Sequence, residues 1–518
     1  MNTKIEHTNE MSKLQATIWF WSVVGVFAVI WVLLPSLFHT GYKSDIIELQ
    51  FIGPEWVLAT RKHPMLPAWI LETLNILTCR AFAAPFIATA LCTIITLFAV
   101  WRLARQVLSE RLALIGTFAM LPSWAITVEA VKFNQNSVLL VCWTLTVWTF
   151  YNAFQTNKQR WWIAAGLTLG LGLHAKYPMV LLALTILLYS LWVSRFRRYW
   201  QETGPWLTIL VSFAVFLPHL IWLYHVDFWT TILYAAERQK TISSGISTHF
   251  YAPANWIAGQ FCLIFVTPLL LLIPCLGLKW KALTPQSAKE KETRQYLLCC
   301  MVFPFFVMLL LATVAGINII TAYGYPFWFF LGVYLLLRFQ QQDNAAVFRQ
   351  TFCWSASVVL VLIAVFVVRT IDTPLLTAKP RESHYPMRDF GVECDRIWSE
   401  KFPGLPCSYI SGDWLYAGNA AYTMKDRPHV HFYWENIADI NALPTGTWST
   451  DEDVNQKGGI ILWNASEPNV PDWVYRRFPR AEVLPEILEL PYKTSAKIPP
   501  LRIGIAIVSP SGTTSSHE

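Results

Sequence analysis

Long apolar runs broken by short polar stretches fill the chain up to Ile371, and beyond Asp372 the runs become much shorter. A bilayer core about 30 Å thick is crossed by roughly 20 apolar residues of helix. On that scale the pattern predicts a polytopic α-helical membrane protein of about eleven transmembrane helices. The first five spans are Ala16–Phe38, Phe82–Trp101, Leu112–Ile126, Val138–Phe154 and Trp161–Leu173. The next three are Val180–Val193, Trp206–Tyr224 and Trp256–Leu278, and the last three are Tyr296–Val314, Ile319–Leu337 and Thr351–Ile371. Several are short for a straight crossing, which implies tilted, broken or bundle-buried segments. The first run is too long for a signal-peptide core and no small-residue cleavage site follows it, so it reads as a retained span.

The tail follows a different period. Strand-length runs at Cys407–Ile410, His429–Tyr433, Gly459–Trp463 and Arg502–Ser509 alternate with helical patterns at Met387–Lys401 and Val470–Phe478. Strands alternating with short helices predict a soluble α/β layer domain. The expected organisation is therefore a transmembrane domain over 1–371 and a soluble α/β domain over 372–518.

Composition agrees with a bilayer as solvent. The chain is 54% hydrophobic and only 14% charged, against about 25% charged in soluble proteins. Its 26 Trp, 19 Tyr and 32 Phe suit the headgroup level, where amphipathic rings collect. The net charge of +7 falls in alternate loops: Arg102, Arg105 and Arg111, then Lys158 and Arg160, then Arg195, Arg197 and Arg198. Later loops of the same set carry Lys279 to Arg294, then Arg338 and Arg349. By the positive-inside rule these loops and the N-terminus are cytoplasmic. The loop after the first span, the loop near His225–Asn255 and the tail then lie outside, although Lys43, Arg61, Lys62 and Arg80 weaken the contrast in the first of these. Cytoplasmic loops account for the positive charge, so no nucleic-acid partner is implied.

Candidate chemistry concentrates in the first outside loop. Asp45 and Glu48 are three residues apart and share one face of a helix. A carboxylate there would hold a divalent cation or take a proton from a hydroxyl. Lys62 and His63, at the proline-broken turn before Pro64, would meet a phosphate. On charge pattern alone, an acidic surface helix followed by a basic interfacial turn is the favoured reading. The glycines Gly166, Gly170 and Gly172 fit close helix packing. Arg238, Lys240 and His249 lie in a long outside loop that is either a lid over an acceptor or a solvated surface. Cys394 and Cys407 are the only cysteines of the tail, and either a disulfide or two buried thiols fits them. No Walker loop and no zinc-ligand spacing is present.

Three motifs together carry a family resemblance. An acidic residue soon after the first span leads to Lys62-His63-Pro64-Met65-Leu66 and then Trp69. Lys132-Phe133-Asn134-Gln135-Asn136 enters a span. A Gly-rich segment, Gly166 to Gly172, ends in Lys176-Tyr177-Pro178. The tail adds Gly412-Asp413, Ala417-Gly418-Asn419 and Asp426-Arg427-Pro428. This set resembles the bacterial branch of the GT-C superfamily of membrane glycosyltransferases, which includes lipid A aminoarabinose transferases, protein O-mannosyltransferases and lipopolysaccharide-core galacturonosyltransferases.

The resemblance implies transfer of a sugar from a polyprenyl phosphate to an acceptor hydroxyl at the outer face of a bacterial inner membrane, with the C-terminal domain periplasmic. It implies that Asp45 is the general base or the metal-binding acid, with Glu48 a neighbouring acid. Lys62, His63 and Lys176 are implied as donor-phosphate contacts. Relatives often carry a second aspartate in the next outside loop, where this chain offers Glu129, Asn134 and Asn136 for a second acid or acceptor contacts. The implied partners are a polyprenyl-phosphate-linked sugar, a lipid or glycan acceptor and membrane lipids. The rival class is a transporter or flippase of a lipid-linked sugar. That class should show internal repeats and midplane charges, neither of which is evident.

Overall fold

The computed structural model describes residues 10–60, 62–225, 245–272, 283–285, 287–339, 343–377, 380–432, 448–466, 469–493 and 497–511. The helices up to the middle of the chain are α1 (Lys13–Phe38), α2 (Ser44–Ile52), α3 (Leu66–Leu77), α4 (Ala84–Ala104), α5 (Glu110–Phe118), α6 (Gln135–Thr156), α7 (Gln159–Ala175), α8 (Met179–Trp192), α9 (Ser194–Arg197) and α10 (Thr203–His225). They continue as α11 (Thr248–Ile264), α12 (Val266–Leu272), α13 (Ala288–Val314), α14 (Leu331–Arg338), α15 (Ala345–Thr377), α16 (Met387–Lys401), α17 (Trp414–Thr423), α18 (Asp451–Lys457) and α19 (Asp472–Arg477). The strands are β1 (Tyr409–Gly412), β2 (His429–Phe432), β3 (Gly459–Asn464), β4 (Ala481–Val483), β5 (Leu488–Leu490) and β6 (Leu501–Val508).

Among the described residues seven helical stretches are long and apolar enough to cross a membrane, or eight if the pair bent by 96° at Met179–Trp192 and Ser194–Gln201 is one span. The protein is thus a multi-pass membrane protein. The shorter predicted runs take broken forms. Leu112–Ile126 becomes the nine-residue α5 followed by a 3-10 turn at Trp124–Ile126. Ile319–Leu337 becomes a 3-10 segment, Thr321–Trp328, and then the eight-residue α14.

The described residues form two compact units. The first comprises Met1–Leu33, Arg61–Leu66 and Phe86–Val365, and the second Leu34–Thr60, Pro67–Pro85 and Phe366–Glu518. Most of the loop after the first span, with α2 and nearly all of α3, therefore belongs to the same unit as the C-terminal region.

Glycines bring helices together within the first unit. A Cβ on Gly166 would stand 2.7 Å from the Thr208 carbonyl, and one on Gly170 would stand 2.8 Å from Val215 Cβ. Only a residue without a side chain lets α7 and α10 approach so closely, the packing mode that bilayers favour. Gly116 and Gly332 do the same for α5 and α14, where a Cβ on Gly332 would collide with the Gly116 carbonyl.

The second unit contains a six-stranded mixed sheet of order β2-β1-β3-β6-β4, with β5 also paired to β6. β1 runs parallel to β2 and β3, and β6 runs antiparallel to β3, β4 and β5. The central strands are apolar along both faces, as in Ile460–Leu462 and Ile503–Val508, because both faces are covered. On one face Val474 and Phe478 from the α19 segment and Val454 from α18 pack on Ile461, Trp463 and Ala506. Strands and helices occupy the places that the short apolar runs of the tail predict.

Candidate active site

In the second unit the predicted acids sit on α2. Lys43, its N-cap, offers no side-chain cap. The amide of Ser44 instead donates to Glu382 Oε2 at 2.8 Å, so a carboxylate from far along the chain takes the capping role. Asp45 lies in the first turn, where a negative charge also suits the helix dipole. Glu48 is buried, at 7% exposure, and Asp45 is half-buried.

The apolar face of α2 packs on α17. A Cβ on Gly418 would stand 2.6 Å from Ile47 Cγ2 and 2.8 Å from Phe51 Cδ1, so the Ala417-Gly418-Asn419 motif is the seat of the helix that carries Asp45. Just before α17, Gly412 has φ +109° and a Cβ there would collide with the Leu462 carbonyl. Asp413 then caps α17 by accepting from Leu415 and Tyr416 amides at 2.9 and 3.3 Å.

A polar cluster fixes the far end of α2. Arg427 donates to both oxygens of Glu72, which is 4% exposed, at 2.7 and 2.6 Å. The same guanidinium reaches the Gln50 carbonyl at 3.4 Å, one of the last carbonyls of α2 that lack an intrahelical donor. Asn75 Nδ2 donates to Gln50 Oε1 at 2.5 Å, and the Tyr422 hydroxyl donates to Asn75 Oδ1 at 3.4 Å. Arg427 holds φ +51°, a left-handed backbone that aims its side chain from the turn before β2. His429 Nδ1 meets Glu55 Oε1 at 2.8 Å, and that hydrogen bond raises the imidazole above its usual range.

The first unit holds the predicted phosphate contacts. Lys62 and His63 are half-buried in the turn ahead of α3. Lys176 is the C-cap of α7 and only 6% exposed. Its ammonium donates to Asn136 Oδ1 at 2.7 Å and lies 3.8 Å from the centre of the Tyr323 ring. Asn136 is placed by its neighbour: Asn134 caps α6 through Oδ1, which accepts the Asn136 amide at 2.9 Å. The two asparagines of Lys132-Phe133-Asn134-Gln135-Asn136 thus have separate tasks, one starting a helix and one holding a lysine.

Glu129 is engaged by a cation of its own loop, with Lys132 Nζ 3.1 Å from each carboxylate oxygen. Tyr177, beside Lys176, bonds His219 Nε2 through its hydroxyl at 3.0 Å. His249 belongs to α11, and its Nδ1 lies 2.8 Å from the Thr313 carbonyl. The loop expected there is therefore helical at His249, while Arg238 and Lys240 lie outside the described residues.

By sequence, Cys394 and Cys407 fit either a disulfide or two buried thiols. Cys394 and Cys407 are separate buried thiols rather than a disulfide, and Cys407 Sγ donates to the Tyr409 carbonyl at 3.4 Å. Burial raises both thiols, with nearby carboxylates adding to the effect. Among the described residues no group of three or more His, Cys, Asp or Glu side chains could hold a metal ion. Sequence reasoning missed Tyr323, whose Thr-Ala-Tyr-Gly-Tyr stretch looked like part of an apolar span, and Glu382, whose capping role depends on a partner 338 positions away. It quoted Arg427 without a role, and Asp426-Arg427-Pro428 was the available signal.

Comparisons with known proteins agree with this architecture. Residues 62–222 match the family model described as dolichyl-phosphate-mannose-protein mannosyltransferase. The chain is 22% identical, over 70% of its own length and 72% of the relative's, to the lipopolysaccharide core galacturonosyltransferase RgtB of Rhizobium johnstonii. The fold matches the crystal structure of ArnT from Cupriavidus metallidurans bound to undecaprenyl phosphate with a TM-score of 0.59 and 13% identity, over 96% of this chain and 99% of that one. The family model and the curated relative are both named for glycosyltransferases, and this chain is similar to both while sharing the fold of the solved membrane protein.

Proposed function

We propose that the protein transfers a sugar from a polyprenyl-phosphate carrier to an acceptor hydroxyl on an envelope glycolipid or glycan, at the outer face of a bacterial inner membrane. The observation that carries the reading is Lys176. A nearly buried ammonium at a helix end, oriented by an amide oxygen and an aromatic face, suits a phosphate that gains charge as its sugar leaves. The family model spans Lys62, His63 and Lys176 alike. The solved structure with the matching fold was crystallised with a polyprenyl phosphate, and the curated relative acts on a lipopolysaccharide core.

In the proposed reaction the acceptor oxygen attacks the anomeric carbon and the bond from that carbon to the phosphate oxygen breaks. The acceptor proton passes to Asp45, and polyprenyl phosphate departs with the bonding pair. Lys176, Lys62 and His63 stabilise the phosphate, Glu48 supports the acid region, and Asn136 holds Lys176 in place. Glu129 is assigned to holding Lys132 in the loop before α6. The scheme gives proton removal to Asp45 without a divalent cation, so transfer should persist after chelation with EDTA, and loss of transfer on chelation would give Asp45 the metal-binding role instead.

The test is transfer of labelled sugar from a polyprenyl-phosphate donor by purified protein, paired with mass spectrometry of envelope glycolipids with and without the gene. Asp45→Asn should lower turnover by about 10²–10⁴-fold, the usual worth of a positioned base, while the protein inserts and folds normally. Full activity in that variant would discard the base assignment. Lys176→Gln should lower turnover by a smaller factor, with Lys176→Arg recovering part of it.

A further inference from the structure

The second unit contains a cavity that no step of the proposed transfer uses. It measures about 300 Å³ and lies just beyond the end of the membrane helix α1. His39 and Thr40 lie on one wall, Met387 and Arg388 from the first turn of α16 on another, and Phe82 and Lys493 are also among the lining residues. Its apolar surfaces are Phe82 and Met387, and its charged rim is Arg388 and Lys493. Phe82 is held in place by Tyr42, which stacks on it at 4.7 Å and donates its hydroxyl to the Phe82 carbonyl at 3.0 Å.

We infer that this cavity binds the phosphate headgroup of an anionic lipid, with Arg388 and Lys493 meeting the phosphate and Phe82 and Met387 meeting the first carbons of the chain. Three observations lead there. The cavity opens where a hydrophobic helix ends, the depth at which lipid headgroups lie. Cations outnumber acids in the surrounding structure: Lys43, Arg369, Arg381, Arg388 and Lys493 stand against Asp389, Glu382 and Asp413. Each acid is engaged, Asp389 by Lys493 at 2.9 Å, Glu382 by the Ser44 amide at 2.8 Å and Asp413 by the Leu415 amide at 2.9 Å.

The histidines of this region register the same surplus. Burial and then Lys43 push His39 down to about 3, and burial followed by Lys43 and Arg381 pushes His384 down to about 4. A neutral His39 lines a cavity whose field is positive, and a phosphate relieves that field while apolar walls accept its chain. None of these residues is among the donor contacts Lys62, His63 and Lys176.

The test uses the full-length protein in nanodiscs of neutral phosphatidylcholine, with dodecyl phosphate and inorganic phosphate as separate probes and native mass spectrometry as readout. Dodecyl phosphate should bind at two sites. The double variant Arg388→Gln with Lys493→Gln should lose one of them, with affinity down about tenfold or more from two lost charge-assisted contacts. Lys176→Gln should weaken the other site and leave this one intact. Arg388→Lys, which keeps the charge, should retain measurable binding, and an unchanged melting temperature in the double variant shows that the fold is kept. Unaltered stoichiometry and affinity in the double variant would overturn the inference. Inorganic phosphate binding as tightly as dodecyl phosphate would overturn the lipid assignment. Loss of activity in Asp45→Asn bears on the transfer scheme alone, so the two readings fail separately.

Discussion

The two units solve the same problem, how to hold one element against another, by partly different physics. In the first unit α7 and α10 meet through Gly166 and Gly170, with backbone and side chains at van der Waals distance. Hydrocarbon chains are as apolar as leucine, so a helix gains nothing by hiding Leu there, and close approach with good packing supplies the attraction. In the second unit α2 rests on α17 at Gly418, and charges then tie α2 to α3. Arg427 bridges Glu72 and the end of α2, and Arg477 and His431 both engage Asp451. Water competes for exposed ion pairs and leaves them worth little, yet both clusters are largely buried, where a missing partner is costly. Close approach at glycines serves both units, and the second adds buried charge clusters to it.

That contrast can be broken by substitution. The largest effect is expected at Glu72→Gln, which leaves the Arg427 guanidinium without its carboxylate in a buried setting. The cost should be about 3 kcal/mol, read as earlier unfolding of the second unit in limited proteolysis. An intact second unit in that variant would mean that the pair is a surface contact in energetic terms. Because α2 is held by the same guanidinium, the variant should also lower transfer, and Arg427→Lys should repair it incompletely because the bidentate geometry is lost.

Next comes Gly170→Val, which drives new methyl groups into Val215. Overpacking of this kind costs about 1–3 kcal/mol, and the melting temperature of the detergent-solubilised protein should fall. Val215→Ala in the same chain should restore part of it, whereas the same rescue attempted at a charged cluster should fail.

A smaller effect is expected from acid. Burial works to raise the Asp451 carboxyl, but hydrogen bonds from His431 and Arg477 outweigh it and the net shift is downward. A group whose pKa is lowered on folding contributes stability above its unfolded pKa, and that contribution is lost as pH falls through the folded value. Unfolding of the second unit should therefore ease below the ordinary carboxylate range. Asp451→Asn should be less stable at neutral pH and show a flatter acid limb, and an unchanged limb would remove Asp451 from the account. The smallest effect is expected from reductant. With Cys394 and Cys407 as separate thiols, dithiothreitol should leave the melting temperature where it was, and a drop would restore the disulfide.

Much of the architecture was set locally. Runs of apolar residues marked the long helices because hydrophobic length alone decides whether a helix can span a bilayer. The alternation in the tail marked β1, β2, β3 and β6 because a covered sheet demands apolar strands. Asp45 with Glu48 on one helix was also legible, since three-residue spacing is a short-range property, whereas Asn134 was read as an acid or acceptor contact and the fold uses it to cap α6. What the chain could not show by itself was partnership. That Lys176 rests on Asn136 and Tyr323, that Glu382 caps α2, and that Arg427 joins Glu72 to Gln50 depend on residues between 40 and 377 positions apart. Hydrogen bonds and ion pairs act over a few ångströms, so only the folded backbone determines which distant side chains come within their reach.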